Sequence, residues 1–191
     1  MLRQFSTRRI VTFFFFDWIA TLGVVALALQ LRVWIGILPP SFTTLLASAG
    51  IACVAHPALA EASGDEALAQ LSAAATGALP LDILCVEGAL LRGPNGSGRF
   101  HMLAGTGKPM IDWVRMLAAQ ARHVVAVGSC TAFGGINASG DNLTEACGLQ
   151  FDGGEPGGLL GADWRARGGL PVINVSGCPI HADWIVDTLM V

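Results

Sequence analysis

The chain has 191 residues, 53% of them apolar and only 13% charged, with a formal net charge of −3. That length fits one domain of ordinary size. A single lysine, Lys108, with an acidic balance excludes a nucleic-acid binder, which needs a basic stripe. So little charge favours a face covered by a partner or a membrane over a freely soluble monomer. The cysteines at 53, 85, 130, 147 and 178 are odd in number and show no short-range pairing. A disulfide framework is therefore excluded in favour of a reducing compartment with metal-bound or plainly buried thiols.

Residues 1–40 differ from the rest. They hold four arginines and one acid, a net of +3, against seven basic and thirteen acidic residues, a net of −6, over 41–191. After Arg8-Arg9, residues 13–16 are all phenylalanine. An apolar stretch then runs from Trp18 to Leu38, broken only by Gln30 and Arg32. A spanning helix wants about 20 apolar residues, and three readings compete. One is a membrane anchor within 13–38, with Arg32 snorkelling. Another is a signal peptide cleaved near Ala26-Leu27-Ala28. The third is a buried or aberrant segment, such as one from a disturbed reading frame. A twin-arginine export signal matches poorly, because Val11 stands where that signal has Phe. Pro39-Pro40 closes the segment, so 1–40 is read apart from 41–191.

Beyond it, Ser41 or Thr43 caps a short helix over 41–46. Residues 49–55 predict a first strand carrying Cys53. The alanine-rich stretch 61–76 predicts a surface helix with Leu68 and Leu71 on one face, stopped by Gly77. Three apolar runs follow, at 81–88, 123–130 and 171–179, each ending at a small-residue turn. Short β-branched runs bounded by Gly or Pro, with helical patterns between them, are buried parallel strands of an α/β fold. Functional residues in such sheets gather at the carboxyl ends of the strands, so Glu87, Cys130 and Cys178 are expected to converge.

The intervening stretches are less informative. Residues 91–106 form a long loop containing Gly93-Pro94-Asn95-Gly96-Ser97-Gly98. The nearby Gly105-Thr106-Gly107-Lys108 is no phosphate-binding loop, because Met102 and Pro109 occupy the places of the required Gly and Ser/Thr. Lys108-Pro109 instead opens an amphipathic helix over 110–122, with Trp113, Met116, Leu117 and Gln120 at helical spacing. The region from Gly134-Gly135 to Gly161 is too long and glycine-rich for a plain connector and is expected to wrap a site or a partner. A last helix covers 181–190.

Cys130 follows Gly128-Ser129, and Cys178 lies in Gly177-Cys178-Pro179. Thiolates at such turns are stabilised by backbone N–H groups and by the start of the next segment. Iron–sulfur clusters use such thiolates, four per cubane, so this pair supplies half a set; a plain structural cysteine remains the alternative for each. Cys85 and Cys53 lie within strands and read as small apolar residues. Cys147 is a buried thiol or a spare ligand. Glu87 relays protons, holds a partner's backbone, or caps the next segment. His56, His101, His123 and His181 form no ligand pair at a usual spacing, although Cys178 and His181 are three apart. No Ser-His-Asp set or nucleophile elbow is present.

As an ordered set, Val86-Glu87-Gly88, Gly128-Ser129-Cys130 with Gly134-Gly135, Asn142-Leu143-Thr144 and Gly177-Cys178-Pro179 resemble the small subunit of [NiFe] hydrogenases over residues 41–191. The wording Cys85-Val86-Glu87-Gly88-Ala89-Leu90-Leu91-Arg92-Gly93-Pro94-Asn95-Gly96 resembles the regulatory, hydrogen-sensing branch. The resemblance implies a flavodoxin-like α/β domain, a parallel sheet with helices on both faces. It implies a proximal [4Fe–4S] cluster that takes electrons from the nickel–iron site of a large subunit. Cys130 and Cys178 match its third and fourth ligands, and Glu87 matches an acidic residue near the cluster and the subunit interface. In the sensor branch, a cytoplasmic protein passes the signal to a histidine kinase.

The family's first two ligands come from a Cys-x-x-Cys turn after an N-terminal strand. This chain has no Cys-x-x-Cys, and residues 1–40 hold no cysteine. The family also continues into a further cluster-bearing region beyond the point where this sequence stops. These departures predict a fold whose first strand is replaced, with an unpaired sheet edge exposed. Three alternatives stand beside the electron-transfer subunit. They are an iron-free docking remnant, a quinone-side iron–sulfur subunit of the complex I type, and a redox protein anchored in the membrane through 13–38.

Overall fold

The computed structural model describes residues 8–13, 51–55 and 62–190. Its main sheet has five strands: β1 (Arg8–Phe13), β2 (Ile51–Ala55), β3 (Ile83–Glu87), β4 (His123–Val127) and β5 (Ile173–Val175). All neighbours pair in parallel, in the order β2-β1-β3-β4-β5. That 2-1-3-4-5 order is the flavodoxin-like one, and its switch point, where ligands bind, lies between β1 and β3.

The helices are α1 (Gly64–Ala75), α2 (Met110–Gln120), the short α3 (Gly128–Phe133) directly after β4, and α4 (Ala182–Met190). The connections β2→α1→β3 and β3→α2→β4 advance in one direction across the sheet. Right-handed crossovers therefore place α1 and α2 on the same face. Leu71 and Ala74 of α1 and Val114 and Leu117 of α2 pack there against Leu84, Val86, Val124 and Ala126. The opposite face buries Ile83, Cys85, Val125, Val127 and Val175, with Ile185 and Leu189 of α4 against them. Alternate residues of β3 and β4 thus serve two apolar faces, which is why both strands read as unbroken apolar runs.

The strand predicted at 49–55 is present as Ile51–Ala55, but it is second in the chain. The expected loss of the first strand does not occur. Arg8–Phe13 forms β1 in the sheet interior, paired through Ile10 with Cys53 on one side and with Ile83 on the other. Ile10, Val11 and Thr12 are β-branched, a strand composition hidden in the sequence by the phenylalanines that follow. The exposed edge expected at that position is therefore closed.

The remainder of the candidate anchor, 14–38, and the predicted helix at 41–46 lie outside the described residues. Among the described residues no helix is long and apolar enough to cross a membrane. The long loop at 91–106 is partly folded: Met102–Leu103 pairs antiparallel with Lys108–Pro109, directly before α2, and Leu90–Leu91 pairs with Ala146–Cys147.

Candidate functional site

The strand register sets the geometry of the carboxyl edge. Glu87 lies level with Val127, Val127 with Val175, and Phe13 of β1 with Val86. The chain leaves β4 at Gly128, whose φ of 84° suits glycine, and enters α3 at once. Cys130 therefore stands in the first turn of a helix, not in an open turn at the strand end.

Two side chains flanking Cys130 fasten it to the neighbouring strand ends. The Thr131 hydroxyl, fully buried, donates to the Gly88 carbonyl at 2.8 Å, next to Glu87. The Ser129 backbone N–H donates to the Gly177 carbonyl at 3.0 Å, and the Gly177 N–H donates back to the Ser129 Oγ at 3.1 Å, next to Cys178. These bonds bring Glu87, Cys130 and Cys178, distant in sequence, to one edge of the sheet. Cys130 is half-buried and Cys178 exposed. Glu87 is half-buried, with its Oε2 shielded from solvent.

Gly134 caps α3 in a left-handed conformation, its N–H donating to the Cys130 carbonyl at 2.8 Å. Gly135 then folds back over the thiol. A Cβ at Gly135 would lie 2.6 Å from the Cys130 Sγ, a position its φ of 57° also disfavours for other residues. Gly135 thus makes room for the Cys130 sulfur, while a Cβ at Gly134 would meet Ala138 and the Cys147 backbone. In the glycine-rich region that follows, Ile136 and Leu143 stand 79% and 83% exposed, two large apolar side chains on the surface.

The remaining cysteines are elsewhere. Cys85 is buried on the α4 face of β3. Cys147 has no exposed surface and lies 3.8 Å from the Leu90 carbonyl oxygen; burial pushes its thiol up to about 11. It is a core residue, not a spare ligand. Cys53 pairs in register with Ile10, which is itself level with Ile83, at the far end of β3 from Glu87. His181 is exposed near Asp183 and His101 is half-buried. Among the described residues no group of three or more His, Cys, Asp or Glu side chains is arranged to hold a metal ion.

Sequence reasoning missed Ser129 and Thr131. Their signal was small polar residues on either side of a strand-end cysteine, a weak one. It also missed Glu145, whose carboxylate accepts from the Asn95 N–H at 2.6 Å and the Gly96 N–H at 2.9 Å. Two N–H donors of the Gly93–Gly98 loop are therefore taken by the protein's own anion.

The sequence pattern described as NADH ubiquinone oxidoreductase, 20 Kd subunit, matches residues 38–191. The chain belongs to that family. Relatives that this chain resembles include hydrogenase small subunits. One from Methanosarcina mazei is 37% identical over 114 residues, covering 56% of this chain and 28% of that one. The periplasmic [NiFeSe] hydrogenase small subunit of Desulfomicrobium baculatum is 31% identical over 146 residues, covering 71% of this chain and 42% of that one. Among solved structures, the actinobacterial-type NiFe-hydrogenase of Ralstonia eutropha superposes with a TM-score of 0.70 at 28% identity, over 97% of this chain and 52% of that one. The chain thus spans less than half the length of the curated family members it matches and about half of the superposed one. The flavodoxin-like architecture agrees with that superposition.

Proposed function

We propose that this chain is the electron-transfer small-subunit domain of a [NiFe] hydrogenase, with its carboxyl edge against a large subunit. One observation carries the reading: Ser129 and Thr131 lock Cys130 between Gly88 and Gly177, so two thiols and Glu87 share one edge of the sheet. In this reading Cys130 and Cys178 are two of the four thiolates of a [4Fe–4S] cluster, and Glu87 lies at the subunit contact. The finer assignment, a cytoplasmic hydrogen sensor signalling to a histidine kinase, rests on the wording of residues 85–96.

The donor set limits the reading. A cubane takes about four thiolates, and the described residues offer two at this edge, since Cys85 and Cys147 are enclosed in the core. A complete cluster does not fit them. This favours a second reading, in which docking is the part of the small-subunit role that the fold performs unaided.

Co-expression with a cognate large subunit, followed by anaerobic iron and acid-labile sulfide analysis of the purified complex, separates the two. About four irons per chain, lost in Cys130→Ser, supports electron transfer with ligands from outside the described residues. A stable complex without iron supports docking. Failure of the two subunits to associate rejects both.

A further inference from the structure

We infer that the sheet face carrying Ile83 and Cys85 is the docking surface for the chain's own apolar stretch, residues 14–38, which is therefore neither a membrane span nor a cleaved leader. β1 ends at Phe13 and β2 begins at Ile51, and the two are parallel neighbours, with Arg8 level with Ile51. A single span would set the chain before it and the chain after it about 30 Å apart, on opposite sides of a bilayer. Two strands so separated cannot hydrogen-bond to each other. Cleavage near Ala28 would part β1 from the sheet whose interior it fills.

The direction of the connection selects the face. From β2 to β3, β3 to β4 and β4 to β5 the chain advances towards the β5 edge, and residues of those connections pack on Leu84, Val86, Val124 and Ala126. From β1 to β2 it moves the other way. A right-handed crossover then carries residues 14–50 over the opposite face, that of Ile83, Cys85 and Val125. Parallel neighbours need a crossover of about a dozen residues or more, which 14–50 supplies.

That face has room for the stretch. Among the described residues, Ile180 and the α4 residues Ile185 and Leu189 pack on it, and α4 lies beside β5. A helix about 10 Å wide covers about two strands spaced about 4.8 Å apart. The half formed by β2, β1 and β3 therefore needs a second cover. Ile83 and Cys85 on β3 are only 6% and 2% exposed, so this half is closed to water. An apolar stretch closes it without burying unpaired polar side chains.

Two measurements on the full-length chain test this. In the first, the chain is expressed in bacteria, the membranes are floated on sucrose and washed with alkaline carbonate, and the intact mass is read. The expected product keeps residues 1–13 and is absent from the washed membranes. Retention there overturns the inference in favour of a span, and a product beginning near Leu29 overturns it in favour of a leader.

In the second, photo-leucine replaces leucine throughout, which leaves the fold unaltered, and the illuminated chain is mapped by peptide mass spectrometry. Leu22, Leu27, Leu29, Leu31 and Leu38 are the reporters within the stretch. Cross-links from them should land on Ile83, Cys85 or Val125 and be lost in urea. Cross-links that land instead on Leu71 or Leu117 of the other face, or only between chains, overturn the docking, as does their absence from the folded chain.

Discussion

Behind α3, the thiol of Cys147 has no exposed surface and lies in the apolar core under the Leu90 carbonyl. In front of α3, Cys130 is half-buried beneath Gly135, and Cys178 is open to solvent. The same residue type is thus an inert core filler on one side of a six-residue helix and an accessible thiol on the other. The two regions are also stabilised differently. The core relies on close apolar packing among Leu84, Val114, Leu117 and Leu149, all fully buried, whereas the edge relies on a few polar bonds that fix position. Substitutions in the first should cost stability, and those in the second should mainly alter geometry.

The largest effect that would sharpen this contrast is expected from Leu117→Ala, which empties a fully buried site on α2. A loss of about 2–5 kcal/mol is expected, read as a lower urea midpoint with unchanged slope. A loss under about 1 kcal/mol would mean that the inner region is not close-packed.

Alkaline pH probes the inner thiol directly. Burial pushes Cys147 up to about 11, so the folded chain keeps a proton that the unfolded chain releases from about pH 8.5 upward. Stability contributed by the protonated thiol is therefore complete below that pH and falls as the pH rises towards 11, by about 1.4 kcal/mol per unit. The chain has no tyrosine and one lysine, so the other four cysteines are the main further side chains that titrate in that window. Cys147→Ala should flatten the slope; an unchanged slope would break the distinction between the two regions.

The smallest effect is expected at the junction between them. Thr131→Val leaves the Gly88 carbonyl without its 2.8 Å partner and should cost about 1–2 kcal/mol. Thermal unfolding measures that cost, and alkylation kinetics of Cys130 report the accompanying change at the edge. A variant as stable as wild type, with unaltered thiol kinetics, would show that the bond does not link core to edge.

The amino-acid sequence by itself determined the local elements. Apolar runs closed by Gly and Pro marked β3, β4 and β5, and the spacing of Trp113 and Leu117 marked α2, because burial leaves a periodic signature within a few residues. It also placed Glu87, Cys130 and Cys178 at or just beyond the carboxyl ends of three strands, and hence predicted that they should meet. Only the tertiary structure decided that Arg8–Phe13 closes the middle of the sheet, that Cys147 is enclosed, that Glu145 occupies the glycine-rich loop, and that Ser129 and Thr131 bind the edge together. Each of these depends on strand register and on contacts between residues far apart in the chain. Such contacts arise only when the crossovers have packed, so no local pattern of residue types encodes them.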